Sequence, residues 1–179
     1  MNDAAASTAA HIRQSVERAI QFYTDHPEKA ESADKAAHVR WQDGLRFTAE
    51  GANGTVFQSD MPEGVGGGAS APTPGWFMRA ALASCDASMI ALRAAQLGVT
   101  LSTLEVSVDS RSDNRGFFGI GDAFPAGPLA MRVQVRIAAA DGTPPQRLRE
   151  IVQWAEAHSP VGDALRRAVP CSVEVVDAA

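Results

Sequence analysis

Two cysteines are the side chains of this sequence with the clearest capacity for chemistry. Cys85 lies in an apolar segment directly before Asp86, and Cys171 lies among alternating valines near the end of the chain. A thiolate attacks peroxides and disulfides, provided that a cation or the N-terminal end of a helix stabilises its charge. Cys85 is therefore a candidate nucleophile, and the alternative interpretation is a small apolar side chain packed in the core.

Activation of Cys85 requires positive charge nearby, and three arginines are candidates to supply it: Arg79, Arg46 and Arg40. Cys171 shares its face of a predicted strand with three valines, which favours a place in the core. The two thiols are far apart along the chain, so only the fold could bring them together.

Other kinds of active site have little support in the sequence. The four histidines are scattered, and no Cys-x-x-Cys pair occurs, which argues against a zinc site. No serine lies in a Gly-x-Ser-x-Gly motif. The glycine-rich run at residues 64–68 lacks the Gly-Lys-Ser/Thr ending of a phosphate-binding loop. We therefore predict neither a metal ion nor a cofactor.

The composition excludes several classes of protein. A chain of 179 residues has the length of one domain, and 45% hydrophobic residues are enough for a core. The net charge of −5 argues against a nucleic-acid partner, because no basic surface is available to neutralise phosphates. No apolar run is long enough to span a membrane, and no secretory signal is recognisable. Only two cysteines occur, so we expect a reducing, cytoplasmic location.

The elements that must position these residues begin with an amphipathic helix. Its apolar residues recur at helical spacing: Ile12, Val16, Ile20 and Tyr23. Pro27 ends the helix, and residues 28–37 form a polar linker. From Val39 the apolar pattern alternates, and Asn53-Gly54 predicts a hairpin turn. We predict an N-terminal extension over residues 1–36 and a single domain over residues 37–179.

The central element is a predicted helix over residues 75–97. It is apolar or small nearly all round, and Gly98 supplies its C-terminal stop. A helix without a broad polar face is buried on several sides. Its small residues allow close approach of another helix, so we expect it to pack across a subunit interface.

The rest of the chain predicts alternating strands and a second helix. Strands around residues 104–108 and 129–137 are separated by a long loop, which is either a cover over a site or an ordinary hairpin connection. Thr143-Pro144-Pro145 opens a helix that Ser159-Pro160 ends. Residues 169–175 alternate as a final strand. The fold class is therefore α+β.

This order of parts resembles the OsmC/Ohr family from about residue 37 to residue 176. The specific motifs are the helix running from Pro74 to Ala-Ala-Leu-Ala-Ser-Cys85, Gly98-Val99, and His158-Ser159-Pro160-Val161. The resemblance implies an OsmC-like fold in which antiparallel sheets pack around a central apolar helix. It also implies an intertwined homodimer.

Well-known members of this family resemble thiol peroxidases that use two cysteines, an Arg and a Glu to reduce organic hydroperoxides. On that pattern Cys85 takes the peroxide-attacking position. The expected Glu is replaced by Gly75 and the expected second cysteine by Ser159. Arg46 is a loose substitute for the family's Arg, and Cys171 is a candidate alternative resolving thiol.

The resemblance thus favours a thiol-dependent peroxidase in stress defence, with Cys85, Cys171 and Arg46 as site residues. Its partners would be a second copy of the chain, a small hydroperoxide and a thiol reductant, with no nucleic acid and no membrane. Two alternatives stay open. One is a non-catalytic dimer that binds a small apolar ligand between its subunits, and the other is a one-cysteine redox sensor.

Overall fold

The N-terminal helix packs against the rest of the molecule through its first half only. A computed structural model describes residues 2–177, and helix α1 spans Asn2–Asp25. It contacts the central helix described below. Ile12 and Val16 are half-buried, whereas Ile20 and Tyr23 are 56% and 50% exposed. The predicted amphipathic helix is confirmed, but only the first part of its apolar stripe is covered.

The first sheet is an antiparallel meander of three strands. Strands β1, β2 and β3 span His38–Asp43, Arg46–Glu50 and Val56–Ser59, and they lie in that order. Gly54 lies in the turn between β2 and β3 with a φ of 78°, a conformation that glycine adopts without strain. The hairpin that Asn53-Gly54 predicts is confirmed.

Helix α2 spans Pro74–Gln96 and lies at the centre of the fold, as predicted. The Thr73 side chain caps its start by accepting a hydrogen bond from the Trp76 N–H, and Gly98 follows its end with a φ of 72°. The helix contacts α1 and three elements that follow it along the chain. Neither α2 nor any other helix within residues 2–177 is long and apolar enough to cross a membrane.

The second sheet is an antiparallel pair, strands β4 (Leu101–Arg111) and β5 (Ala130–Ala139). The long loop between them contains a short helix, α3, over Asn114–Phe117. Asp113 and Arg115 form an ion pair of 2.6 Å, and the Arg115 guanidinium lies 3.7 Å from the centre of the Phe124 ring. Hydrogen bonds from Arg115 lower the pKa of Asp113 to about 2. The loop is therefore held in shape by its own contacts.

The C-terminal helices complete the core. Helix α4 spans Pro145–Ala157 and helix α5 spans Pro160–Arg166. Both contact α2, and α4 also contacts β5. The buried core cluster joins α2 and α4 through the following residues: Ile90, Ala94, Val99, Leu148, Ile151 and Ala155. This packing confirms the mixed α+β architecture with a central apolar helix.

The predicted last strand is wrong for the single chain. The structure assigns no strand to the described residues after α5, which end at 177. Val173 and Val175 are 89% and 86% exposed, and Cys171 is also exposed rather than in the core. An extended segment becomes a strand only when a neighbouring strand satisfies its backbone groups. No such neighbour reaches this segment in the part of the single chain that the structure describes.

Candidate functional site

Cys85 lies in the middle of α2, on a side that faces the junction of α4 and α5. Its thiol is free, and the residue is half-buried. The Ser159 hydroxyl donates a hydrogen bond to the Cys85 sulfur across 3.3 Å. Ser159 itself is completely buried, with an exposed fraction of 0%. The sequence-predicted nucleophile is therefore placed beside a second functional group of the chain.

The Ser159 side chain is fixed by its position at the start of α5. It caps this helix, and its Oγ accepts a hydrogen bond from the Gly162 N–H at 3.1 Å. Because the oxygen accepts there, the hydroxyl hydrogen is free to point at the sulfur. A donor in this position stabilises negative charge that develops on sulfur.

Gly162 allows this close approach because it has no side chain. A Cβ at this position would lie 3.1 Å from Ser159 Oγ and 3.0 Å from Arg166 Nη1. The neighbouring Ser159 hydroxyl would have to move to admit it. The backbone of α5 thus determines where the hydroxyl lies relative to Cys85.

The contact between Cys85 and Ser159 lies at one departure from the family pattern. The resemblance places the second cysteine of the peroxidases at Ser159, and the structure brings this position within hydrogen-bonding distance of Cys85. A thiol there would be close enough to form a disulfide with Cys85. The hydroxyl that replaces it forms a hydrogen bond but cannot resolve an oxidised sulfur.

The structure does not bring the other two predicted site residues to Cys85. Arg46 forms a 2.7 Å ion pair with Asp43 on the surface of the first hairpin. Cys171 lies exposed in the extended C-terminal segment. Neither residue forms a hydrogen bond with Cys85.

The other two candidate arginines are also engaged elsewhere. Arg40 pairs with Glu50 at 2.8 Å on the first sheet, and Arg79 Nη1 donates to Ser110 Oγ at 3.3 Å. Among the described residues, none of the candidate arginines forms a hydrogen bond with the sulfur. The group that does is the neutral hydroxyl of Ser159.

Gly75 occupies an open position at the start of α2. A Cβ there would have the Arg79 Nη1 at 3.8 Å and the Thr73 Oγ1 at 4.0 Å as its nearest neighbours. Residues four apart share one face of a helix, so a longer acidic side chain at this position would reach Arg79. The loss of the family's Glu is therefore not imposed by lack of space.

Asp86 is a buried acid that does not belong to the predicted site. Its exposed fraction is 5%, and its Oδ1 atom has no hydrogen-bond partner among the described residues. Its place as the lone carboxylate in the apolar part of α2 was the available signal, since a buried charge is unfavourable unless something pairs with it. The signal for Ser159 was its match to a family position that expects a cysteine, whereas its contact with Cys85 depends on the fold.

An apolar cavity lies between the first sheet and the beginning of α2, beside the edge-to-face contact of Phe57 with Phe77. It has a volume of about 540 Å³, and its apolar lining includes Val39, Phe47, Ala49, Phe57, Pro74 and Phe77. A hydrophobic molecule or the surface of another subunit could occupy such a space. In contrast, no group of three or more His, Cys, Asp or Glu residues within the described chain is placed to hold a metal ion.

Solved structures with the same architecture carry OsmC or hydroperoxide-resistance names. An OsmC-like protein from Mycoplasma pneumoniae is 14% identical with a TM-score of 0.64, and the match covers 77% of this chain and 91% of that one. The organic hydroperoxide resistance protein OsmC from Legionella pneumophila is 19% identical with a TM-score of 0.55, covering 75% and 92%. The organic hydroperoxide resistance protein OhrB of Bacillus subtilis is 18% identical with a TM-score of 0.51, covering 76% and 94%.

At these identities the likeness shows the fold alone. No curated protein matches the sequence. The sequence model of the family described as OsmC-like protein matches residues 66–174, which is more than half of the chain. This stretch contains Cys85, Ser159 and the whole of the core cluster. The chain belongs to the OsmC-like protein family.

Proposed function

We propose that this protein is a thiol-dependent peroxidase that reduces organic hydroperoxides during stress, with Cys85 as its reacting group. Its family and the hydroperoxide-resistance names of its structural neighbours support a role in this chemistry. The observation that carries the proposal is the half-buried Cys85 sulfur, which accepts a hydrogen bond from a buried hydroxyl fixed by a helix start.

In the first step the Cys85 thiolate attacks the terminal oxygen of the hydroperoxide. A sulfur–oxygen bond forms, the oxygen–oxygen bond breaks, and the alkoxide takes a proton and leaves as an alcohol. The sulfur loses two electrons and becomes a sulfenic acid, while the peroxide is reduced. The Ser159 hydroxyl stabilises the thiolate before attack and then remains beside the sulfenic acid.

Regeneration of Cys85 requires a thiol that Ser159 cannot supply. We propose that an external thiol attacks the sulfenic sulfur and releases water, and that a second thiol then frees Cys85 and leaves as a disulfide. Cys171 could supply the first of these thiols only if the exposed C-terminal segment moves to Cys85. The predicted role of Arg46 likewise requires its ion pair with Asp43 to open.

We further propose that the working protein is a homodimer in the cytoplasm, where thiol reductants are abundant. Three small residues form an exposed face of α2, namely Ala81, Ser84 and Ser88. The unpaired C-terminal segment and the exposed Trp41, at 67%, also present apolar surface that a second subunit would cover. Size-exclusion chromatography with light scattering should give twice the chain mass of 18.8 kDa.

The alternative function is binding of a small apolar ligand without catalysis. The apolar cavity of about 540 Å³ between the first sheet and α2 favours it, because the volume fits a small ligand. In this case Cys85 would act only in packing, and Cys85→Ala would leave binding unchanged.

Consumption of cumene hydroperoxide in the presence of dihydrolipoamide distinguishes these functions. We expect turnover by the wild type, none by Cys85→Ser, and nearly full turnover by Cys171→Ser if an external thiol resolves the intermediate. Loss of turnover in Cys171→Ser would instead identify Cys171 as the resolving thiol. A wild type that is oxidised once at Cys85 without turnover would be a redox sensor, and an inert thiol would leave the ligand-binding function.

A further inference from the structure

We propose that a second site, centred on Asp86, binds a small molecule that carries a positive charge on an apolar body. Asp86 lines a cavity of about 200 Å³ between α2, β5 and α4. The exposed fraction of this residue is only 5%, and no donor of the described chain forms a hydrogen bond with its Oδ1. An ionised carboxylate buried without a partner is strongly unfavourable, so a cation in this cavity would relieve a cost that the fold leaves uncompensated.

The cations of the adjacent strand are not available to Asp86. Arg132 and Arg136 alternate along β5 with the valines that line the cavity, so they lie on the opposite face of the strand. There they pair across the sheet with Asp109 and Glu105, at 2.6 and 3.2 Å.

A second carboxylate adds to the negative charge of the site. Glu156 of α4 also lines the cavity, and its side chain forms no salt bridge within the described chain. Arg166 is close to this residue, but its Nη2 donates to the Glu156 backbone carbonyl at 2.9 Å. Two acidic residues therefore line one cavity, and neither is paired with a cation of the described residues.

The remaining walls define the body of the ligand. They are apolar and comprise Ile90, Val133, Val135 and Val152. An apolar cavity of about 150 Å³ holds one benzene molecule in another protein. The site thus has room for an amidinium or ammonium group with about six or seven further heavy atoms. A neutral molecule of the same shape would leave the carboxylates unpaired.

Pairs of ligands that differ only in charge test this site in the full-length protein. Benzamidine and butylamine, both cations at pH 7, are titrated by calorimetry at low salt against their neutral counterparts benzamide and butanol. We expect each cation to bind at least ten-fold more tightly than its neutral counterpart. Asp86→Asn should weaken cation binding at least ten-fold and Glu156→Gln less, while the exposed control Asp34→Asn changes nothing. Cys85→Ser should bind as the wild type does, which separates this site from the peroxidase.

Stability without ligand provides a second measurement. Because the Asp86 carboxylate has no partner among the described residues, Asp86→Asn should unfold at the same temperature as the wild type or higher, and only the wild type should gain stability from benzamidine. Three results would overturn the proposal. The first is that the charged and neutral ligands bind equally well, or that none of them binds. The second is that Asp86→Asn binds the cations as tightly as the wild type does. The third is that Asp86→Asn clearly loses stability or no longer forms a dimer, which would show that the chain or a second copy already supplies the cation.

Discussion

Replacing Ser159 with cysteine tests the geometry of the candidate active site directly. The Ser159 oxygen lies 3.3 Å from the Cys85 sulfur, and a disulfide needs about 2.05 Å. The remaining ~1.3 Å is within reach of small side-chain rotations. We therefore expect Ser159→Cys, made in a Cys171→Ser background, to form an intramolecular disulfide with Cys85 on mild oxidation.

The stabilisation by this disulfide follows from the loop that it closes. The two positions are 74 residues apart along the chain. Closure of a loop of that length removes chain entropy from the unfolded state equivalent to about 4 kcal/mol at 25 °C. For a chain of this size, that corresponds to a rise of about 8–16 °C in Tm between the reduced and oxidised forms of the same variant.

Mass spectrometry, thiol titration and thermal unfolding with and without reductant measure these outcomes. Comparing two redox forms of one protein cancels the loss of the Ser159 helix cap, which Ser159→Ala measures separately and which should cost about 1 kcal/mol. Two reactive thiols that persist after oxidation would show that Cys85 and position 159 do not meet as the structure places them. A disulfide without a gain in Tm would show that the bond strains the start of α5.

Three further predictions test other parts of the structure. Gly162→Ala should push the Ser159 hydroxyl away from Cys85 and slow the reaction of Cys85 with hydroperoxide, measured by stopped-flow oxidation, while the core remains intact. Hydrogen bonds from Ser70, first from its backbone N–H, lower the pKa of Asp60 to about 2 from its usual 3.8. The stabilisation that the ionised Asp60 provides should therefore be complete above pH 4 and disappear as the pH falls towards 2. The difference in unfolding free energy between the wild type and Asp60→Asn should shrink over that range. Ile151→Ala, at a site only 1% exposed, should lower the unfolding free energy by about 2–5 kcal/mol in urea denaturation.

Helix α2 shows how far local sequence determines this fold. The sequence predicts its bounds within one residue at each end. A proline favours the start of a helix and a glycine favours its end, and both effects depend only on neighbouring residues along the chain. The strand predicted over residues 169–175 has an equally clear alternation, yet it does not form in the single chain. Alternation identifies a segment that can become a strand but does not supply the neighbour with which it must pair.

The candidate site could be predicted only in part for a similar reason. Cys85 was identified from its place in α2, and Ser159 from its match to a family position. Their contact spans 74 residues and depends on how α4 turns into α5. Asp86 carries a local sign of a buried acid, because it is the lone carboxylate in the apolar part of α2, but only the fold shows that it lines a cavity and that its Oδ1 has no partner among the described residues.

The fold of this chain does not depend on the groups that the family resemblance assigns to the peroxidase reaction, and this bears on the proposed chemistry. The helix, the core cluster and the turn into α5 place the Ser159 hydroxyl in contact with the Cys85 sulfur, and we expect a thiol at this position to occupy the same place. Gly75 has open space for an acidic side chain beside Arg79, so packing does not forbid the family's Glu either. We therefore expect the two departures to alter the proposed reaction and to leave the scaffold unchanged. In the proposed reaction, the Ser159 hydroxyl offers the oxidised Cys85 sulfur no second thiol to condense with. The fate of that sulfur would therefore depend on a thiol that reaches it from elsewhere.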